Sequence, residues 1–123
     1  MKSAESILFF QFMHIARAWQ LDESEQIKLL NLTHEQWQRM IHDAYLECLQ
    51  DEQARRINHL VCIHDYLHVI FSEPSIADLW VRQPNTEPRF LGATALDYML
   101  SGAEQRLEWV ASYVMGQGNC NFS

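Results

Sequence analysis

Residues 51–71 read DEQARRINHLVCIHDYLHVIF, and within them Ile57, Leu60, Val61, His64, Leu67, His68 and Phe71 recur at three- and four-residue spacing. That period places them on one side of an α-helix of roughly six turns. It is the longest helix the sequence predicts. Asp51 opens it, and the acidic and polar run 50–53 marks a seam between a front half and a back half of the chain.

Upstream, Leu8, Phe12, Ile15 and Trp19 repeat at helical spacing from Ala4 to Trp19, with Ile7, Phe9, Phe10 and Met13 widening the stripe. Asp22 with Glu25 has the form of a capping box and starts a short helix ending near Leu30. After a tight turn at Asn31 and Leu32, Thr33 with Gln36 forms a second capping box, ahead of Trp37, Met40, Ile41, Ala44, Tyr45 and Cys48. Downstream, Pro74 suits a first helical position, and Ile76, Leu79 and Trp80 read as one face of a short helix. Residues 83–93 hold two Pro, an Asn and a Gly, and form the one substantial loop. Thr94 caps a helix with Leu96, Met99 and Leu100, stopped by Gly102. A last helix carries Leu107, Val110, Ala111 and Val114 to Gly116, and the tail Gln117–Ser123 reads as frayed. No stretch alternates β-branched residues with period two, and no Asn-Gly or Asp-Gly hairpin signal occurs. The expected fold is all-α, a compact bundle of about six to seven helices.

With 123 residues, 48% hydrophobic and four Trp, the chain can bury a core and carries enough large aromatics to raise the expectation of a partner surface. Nine Lys and Arg against sixteen Asp and Glu give a net charge of −7, the wrong sign for tight binding to a polyanion by bulk electrostatics. Any DNA contact needs a local patch. The three cysteines, Cys48, Cys62 and Cys120, lack CxxC spacing, and no basic-then-apolar leader opens the chain, so a reduced cytoplasmic compartment is expected. The apolar opening Ile7–Ile15 is broken by Gln11 and His14 and is too short to span a bilayer.

Five groups of residues bear on chemistry. His64 and His68 stand i, i+4 on one helix face, and HDYLH resembles the zinc-protease HExxH with Asp65 in place of Glu. No third ligand is indicated, and both histidines fall in the apolar stripe, so the expectation is no metal, no cofactor and no catalytic residue. Cys48 and Cys62 lack a His relay and read as structural thiols. Gly92, Gly102, Gly116 and Gly118 are isolated, which excludes a phosphate-cradling glycine loop. The segment Glu23–Tyr45 has helix-turn-helix spacing, in which His34, Gln38, Arg39 and His42 would face a groove while Glu35 and Asp43 repel phosphate. Such a helical pair also serves simply to pack. Finally, WVRQPNTEPRFLG, residues 80–92, sets Trp80, Arg82, Arg89 and Phe90 around rigid prolines, either as an interface hot spot or as a loop folded onto the core.

The run from Ile76 to Val114 resembles the toxin-binding domain of the Xre/MbcA/ParS-type antitoxins. Trp80, Pro84, Asn85, Phe90, Gly92, Leu96, Asp97, Met99 and Gly102 fill the family's places in order, and Glu23–Tyr45 resembles its Xre-like helix-turn-helix. The resemblance implies a division into residues 1–50, a helix-turn-helix region, and 51–123, a toxin-binding domain with its frayed tail. It further implies a bacterial antitoxin, not an enzyme, that covers the active site of an NAD-degrading RES-type toxin through Trp80, Arg82, Pro84, Asn85, Arg89, Phe90, Gly92, Asp97 and Met99. Operon repression by a homodimer, with weak operator binding, comes with it. A helix-turn-helix regulator is the alternative, and a metal-dependent hydrolase using His64 and His68 the outsider.

Overall fold

A computed structural model describes residues 3–119. Among them lie seven α-helices: α1 Ala4–Ala18, α2 Glu23–Leu30, α3 His34–Asp43, α4 Asp51–Ile70, α5 Pro74–Leu79, α6 Ala95–Leu100 and α7 Glu104–Asn119. Short 3₁₀ turns, Leu46–Cys48, Trp80–Arg82 and Pro88–Phe90, fill the connections. A single antiparallel bridge joins Pro84 to Thr94, and no strand occurs among the described residues. The fold is the all-α bundle that the periodicities predict.

Helix α4 is the spine. Its buried row, Ile57, Leu60, Ile63 and Leu67, packs against α7, α1, α5 and α2. Phe12, Ile15 and Ala16 of α1 with Trp19 beyond its end, and Leu107, Val110, Ala111 and Val114 of α7, complete one core around it. Each such aliphatic side chain contributes about 1.5–3 kcal/mol by leaving water. His64 and His68 flank this row, each partly exposed, instead of lying within it.

The predicted caps form. Asp22 Oδ1 accepts from Glu25 N at 2.8 Å while Asp22 N donates to Glu25 Oε1 at 2.9 Å. Thr33 and Gln36 repeat the exchange at 3.0 and 2.8 Å. Thr94 Oγ1 accepts from Asp97 N at 3.0 Å and starts α6. The seam at residues 50–53 is tightly stitched. Gln53 and Arg56 are buried and donate to the carbonyls of Leu30 (3.0 Å) and Leu29 (3.1 Å), groups that the end of α2 leaves without helical partners. Glu52 accepts from Arg56 Nε and from Asn31 Nδ2, both at 2.8 Å.

Three local expectations are corrected. Helix α3 ends at Asp43 and not near Cys48, because Ala44 takes the left-handed conformation (φ 53°) and turns the chain into the 3₁₀ turn that buries Cys48 and Leu49. On α5 the buried residue is Ala77, whereas Ile76 and Leu79 face outward. A six-residue helix lying flat on α4 offers one narrow contact, and the small side chain takes it. Helix α7 passes through Gly116 and Gly118 to Asn119, since each glycine costs a helix only about 1 kcal/mol. Of the expected frayed tail, Gln117–Asn119 is therefore helical, and residues 120–123 with Cys120 lie outside the described residues.

Candidate functional site

The segment between α5 and α6 is held at its base by Arg82. Its Nε donates to Trp19 O at 2.8 Å and its Nη2 to Gln20 O at 2.9 Å, while Nη2 also meets Glu25 Oε1 at 2.9 Å. One guanidinium thus joins the loop to the α1–α2 corner, using the planar fork that a lysine lacks. Asn85 Oδ1 accepts from Glu87 N at 2.8 Å, and Asn85 N donates to Ala93 O at 3.2 Å, which closes the loop on itself. Pro84, exposed, bridges to Thr94. Rigidity comes from these bonds as much as from proline.

Above that base lies an aromatic layer. Phe90 is buried, with ring centroids 5.5 Å from Tyr98, 5.7 Å from Trp109 and 6.2 Å from Tyr113. Trp109 and Tyr113, one turn apart on α7, stack at 5.2 Å, and half-buried Trp80 stacks on Tyr113 at 6.4 Å. Burial, and to a lesser degree the charge of Glu87, push the Tyr113 hydroxyl's pKa up. The exposed Arg89 lies 4.5 Å over the Trp109 ring, and Arg106 lies 4.6 Å over Tyr98. Such cation–π contacts contribute about 0.5–1 kcal/mol at exposed sites. Leu91 projects from this layer, 91% exposed, with its backbone in the left-handed region (φ 53°); Gly92 follows at φ 84°. A leucine there costs roughly 1–2 kcal/mol relative to a right-handed conformation. Like Ala44 after α3, Leu91 takes this conformation where it closes a short helical turn, Pro88–Phe90.

Of the nine residues expected at a toxin surface, Phe90 and Met99 are buried and shape the face from beneath. Arg82 is a structural clamp. Arg89, Gly92 and the exposed Asp97 remain at the surface, beside a shallow groove of about 260 Å³ that Leu91, Tyr98 and Arg106 also line.

On α3, His34, Arg39 and His42 are exposed and Gln38 is half-buried. His34 Nδ1 lies 3.9 Å from Glu23, Gln38 Nε2 lies 3.4 Å from His34 Nε2, and Arg39 stacks on Tyr45 at 4.1 Å. Glu35 and Asp43 are exposed on the same short helix.

A third cluster joins α4 to α5. His68 Nε2 lies 2.7 Å from Asp78 Oδ1, and the His64 and His68 rings are 4.4 Å apart. The sequence indicates no third group for this pair, and Asp78, ten residues beyond His68, fills that place. Asp65 does not stand where a general base would; its Oδ1 lies 3.3 Å from His64 Nδ1. Cys48 is buried, and that burial pushes its thiol's pKa up, away from the reactive thiolate.

No family model matches the chain, and no solved structure matches it. The uncharacterized protein y4oB of Sinorhizobium fredii (strain NBRC 101917 / NGR234) is 33% identical over 110 residues, spanning 86% of this chain and 80% of that one. The chain belongs to the y4oB family.

Sequence reasoning on this family member passed over Leu91, Tyr98, Arg106, Trp109, Tyr113 and Asp78. Trp109 and Tyr113 did carry a signal, since their i, i+4 spacing sets them beside the predicted core row of α7. Leu91 carried none, because left-handed backbone at a leucine is unreadable from composition.

Proposed function

We propose that this chain is the antitoxin of a bacterial toxin–antitoxin pair, a cytoplasmic protein that neutralises an NAD-degrading RES-type toxin by occluding its active site. It binds stoichiometrically and turns over no substrate. What supports the reading beyond the sequence resemblance is one observation: Leu91, exposed and strained, stands beside Arg89 on a rigid aromatic layer. Aromatic and Arg anchors on a rigid support give binding energy at small ordering cost. In this reading Leu91 enters the toxin's pocket, Arg89 and Arg106 meet acidic groups around it, and Trp109 fills the rim. The remaining net negative charge suits a basic partner and speeds encounter.

Co-expression with the toxin encoded by the neighbouring gene tests this. Wild type restores growth and cellular NAD, and the Arg89→Ala/Leu91→Asp variant, folded by circular dichroism, does not. Growth restored equally by that variant would refute the docking surface. Absence of any adjacent toxin gene would weigh against the pairing.

The second reading, an operator-binding dimer, is supported by the two reciprocal caps that fix α2 and α3 around a short turn. Under it Arg39 contacts phosphate, binding is weak and salt-sensitive, and Arg39→Ala weakens operator retention. Equal retention of wild type and variant at low salt would remove α3 from the proposal.

A further inference from the structure

His64 and His68 are one turn apart on α4, and α5 carries Asp78 across to both. Asp78 Oδ1 lies 2.7 Å from His68 Nε2 and 3.8 Å from His64 Nε2, and the three donor atoms fall within 4.8 Å of one another. The first distance is a hydrogen bond. The second is too long to be one, although His64 Nε2 faces the same carboxylate. On the far side of its ring, His64 Nδ1 lies 3.3 Å from Asp65 Oδ1. With Nδ1–H donating to Asp65, the lone pair of Nε2 is left facing Asp78 and His68. A carboxylate behind a histidine that faces a shared centre is the arrangement that orients imidazole ligands on a metal.

We propose that His64, His68 and Asp78 form a binding site for one divalent zinc ion, clipping α5 to α4. Zinc accepts two imidazole nitrogens and a carboxylate oxygen at about 2.0–2.2 Å, which sets its tetrahedral ligands about 3.3 Å apart. The two separations to Asp78, 2.7 and 3.8 Å, fall on either side of that spacing. Binding thus closes the first gap and opens the second by about half an ångström each, and brings the two imidazole nitrogens, now within 4.8 Å of each other, to the same spacing. All three side chains are partly shielded, with 12%, 29% and 26% of their surface exposed, so an ion can enter without the helices separating. Three protein ligands leave the fourth position for water or an incoming group. Imidazole with carboxylate, and no thiolate, selects zinc or its neighbours in the first transition row over calcium and magnesium. Asp65 is then a positioning residue, acting through His64. This site stands apart from the Leu91 surface, and its existence does not depend on the proposed toxin.

The test is calorimetric titration of the full, metal-stripped chain with zinc chloride, with circular dichroism verifying the fold of every variant. One equivalent binds to wild type. Asp78→Asn, which keeps a hydrogen-bond acceptor for His68, and His64→Gln, which breaks no short bond to Asp78, each weaken binding by more than the ~10–100-fold that losing an outer partner costs. Asp65→Asn weakens it within that range. A Cys48→Ser/Cys62→Ser/Cys120→Ser variant keeps full affinity, and cobalt(II) gives tetrahedral visible bands without thiolate charge transfer. Failure of wild type to bind zinc, unchanged affinity in both Asp78→Asn and His64→Gln, or loss of binding in the triple serine variant would each overturn the site.

Discussion

Arg82 bonds three partners at a corner of the fold 57 to 63 residues back in the chain, Trp19 O, Gln20 O and Glu25. Removing it leaves the half-buried Glu25 without its cation and Trp19 O without its donor. Bonds to charged groups contribute about 1.5–3 kcal/mol each to stability when they are desolvated. Arg82→Ala should therefore lower urea stability by about 2–3 kcal/mol, and Arg82→Lys should recover little, because a point charge cannot serve two carbonyls and a carboxylate at fixed angles. Full recovery by lysine would mean that the charge alone matters. Leu91 should behave in the opposite sense. Leu91→Gly relieves the left-handed strain and should stabilise the chain by about 1 kcal/mol, and calorimetric melting measures that gain. If the same change weakens partner binding, the Leu91 side chain, which folding leaves exposed, serves the partner and not the fold. The sequence made the loop legible as a rigid, aromatic and Arg-bearing segment. It did not separate Arg82, which folds inward, from Arg89, which stays outside. Both are arginines within two residues of a proline, and only the tertiary position of the α1–α2 corner distinguishes them.

Helix boundaries followed the chemistry of their caps. Where Asp, Thr or Pro supplied a start signal, α2, α3, α5 and α6 begin as expected, because each signal, a capping bond at α2, α3 and α6 and the fixed φ of Pro74 at α5, is readable within four residues. Ends were less legible. The close of α3 depends on Ala44 in a left-handed conformation that no side chain announces, and the outward turn of Ile76 and Leu79 depends on how α5 lies across α4. The join between α2 and α4 has a pH consequence. Bonds from Asn31 first and Arg56 second hold the Glu52 carboxyl's pKa below its ordinary 4.5, and the bond from Arg55 does the same for Glu104 between α4 and α7. A carboxyl whose folded pKa is lowered contributes stability that is present above its unfolded pKa and is lost as pH falls through the folded one. Stability should hold from neutral pH down to about 4.5 and decline below it, and Glu52→Gln should lower the neutral plateau and shallow the acid decline. Melting temperatures across pH 3–7 check this. An acid decline of unchanged steepness in Glu52→Gln would remove Glu52 from it.

One helix, α4, touches elements from both ends of the chain, and its buried row is continuous with the α1 and α7 cores. Unfolding should then be a single transition. Leu60→Ala, at a position with no exposed surface, should cost about 2–5 kcal/mol without splitting it. Two transitions in the calorimeter would separate the halves on either side of the seam. Across this one body the charges are uneven: the chain carries −7, yet the proposed docking face presents Arg89 and Arg106 over its aromatic rings. A partner with a basic exterior and acidic groups around the cleft it offers to the two arginines complements both. Isothermal titration of the purified chain into the RES-type toxin proposed as its partner measures whether that complementarity is real. Saturable binding at fixed stoichiometry should appear with loss of toxin activity, and the Arg89→Ala/Leu91→Gly variant, melting no lower than wild type, should bind at least about thirtyfold more weakly, the effect of one hot spot of about 2 kcal/mol. No heat of binding, or equal affinity for wild type and variant, would contradict it.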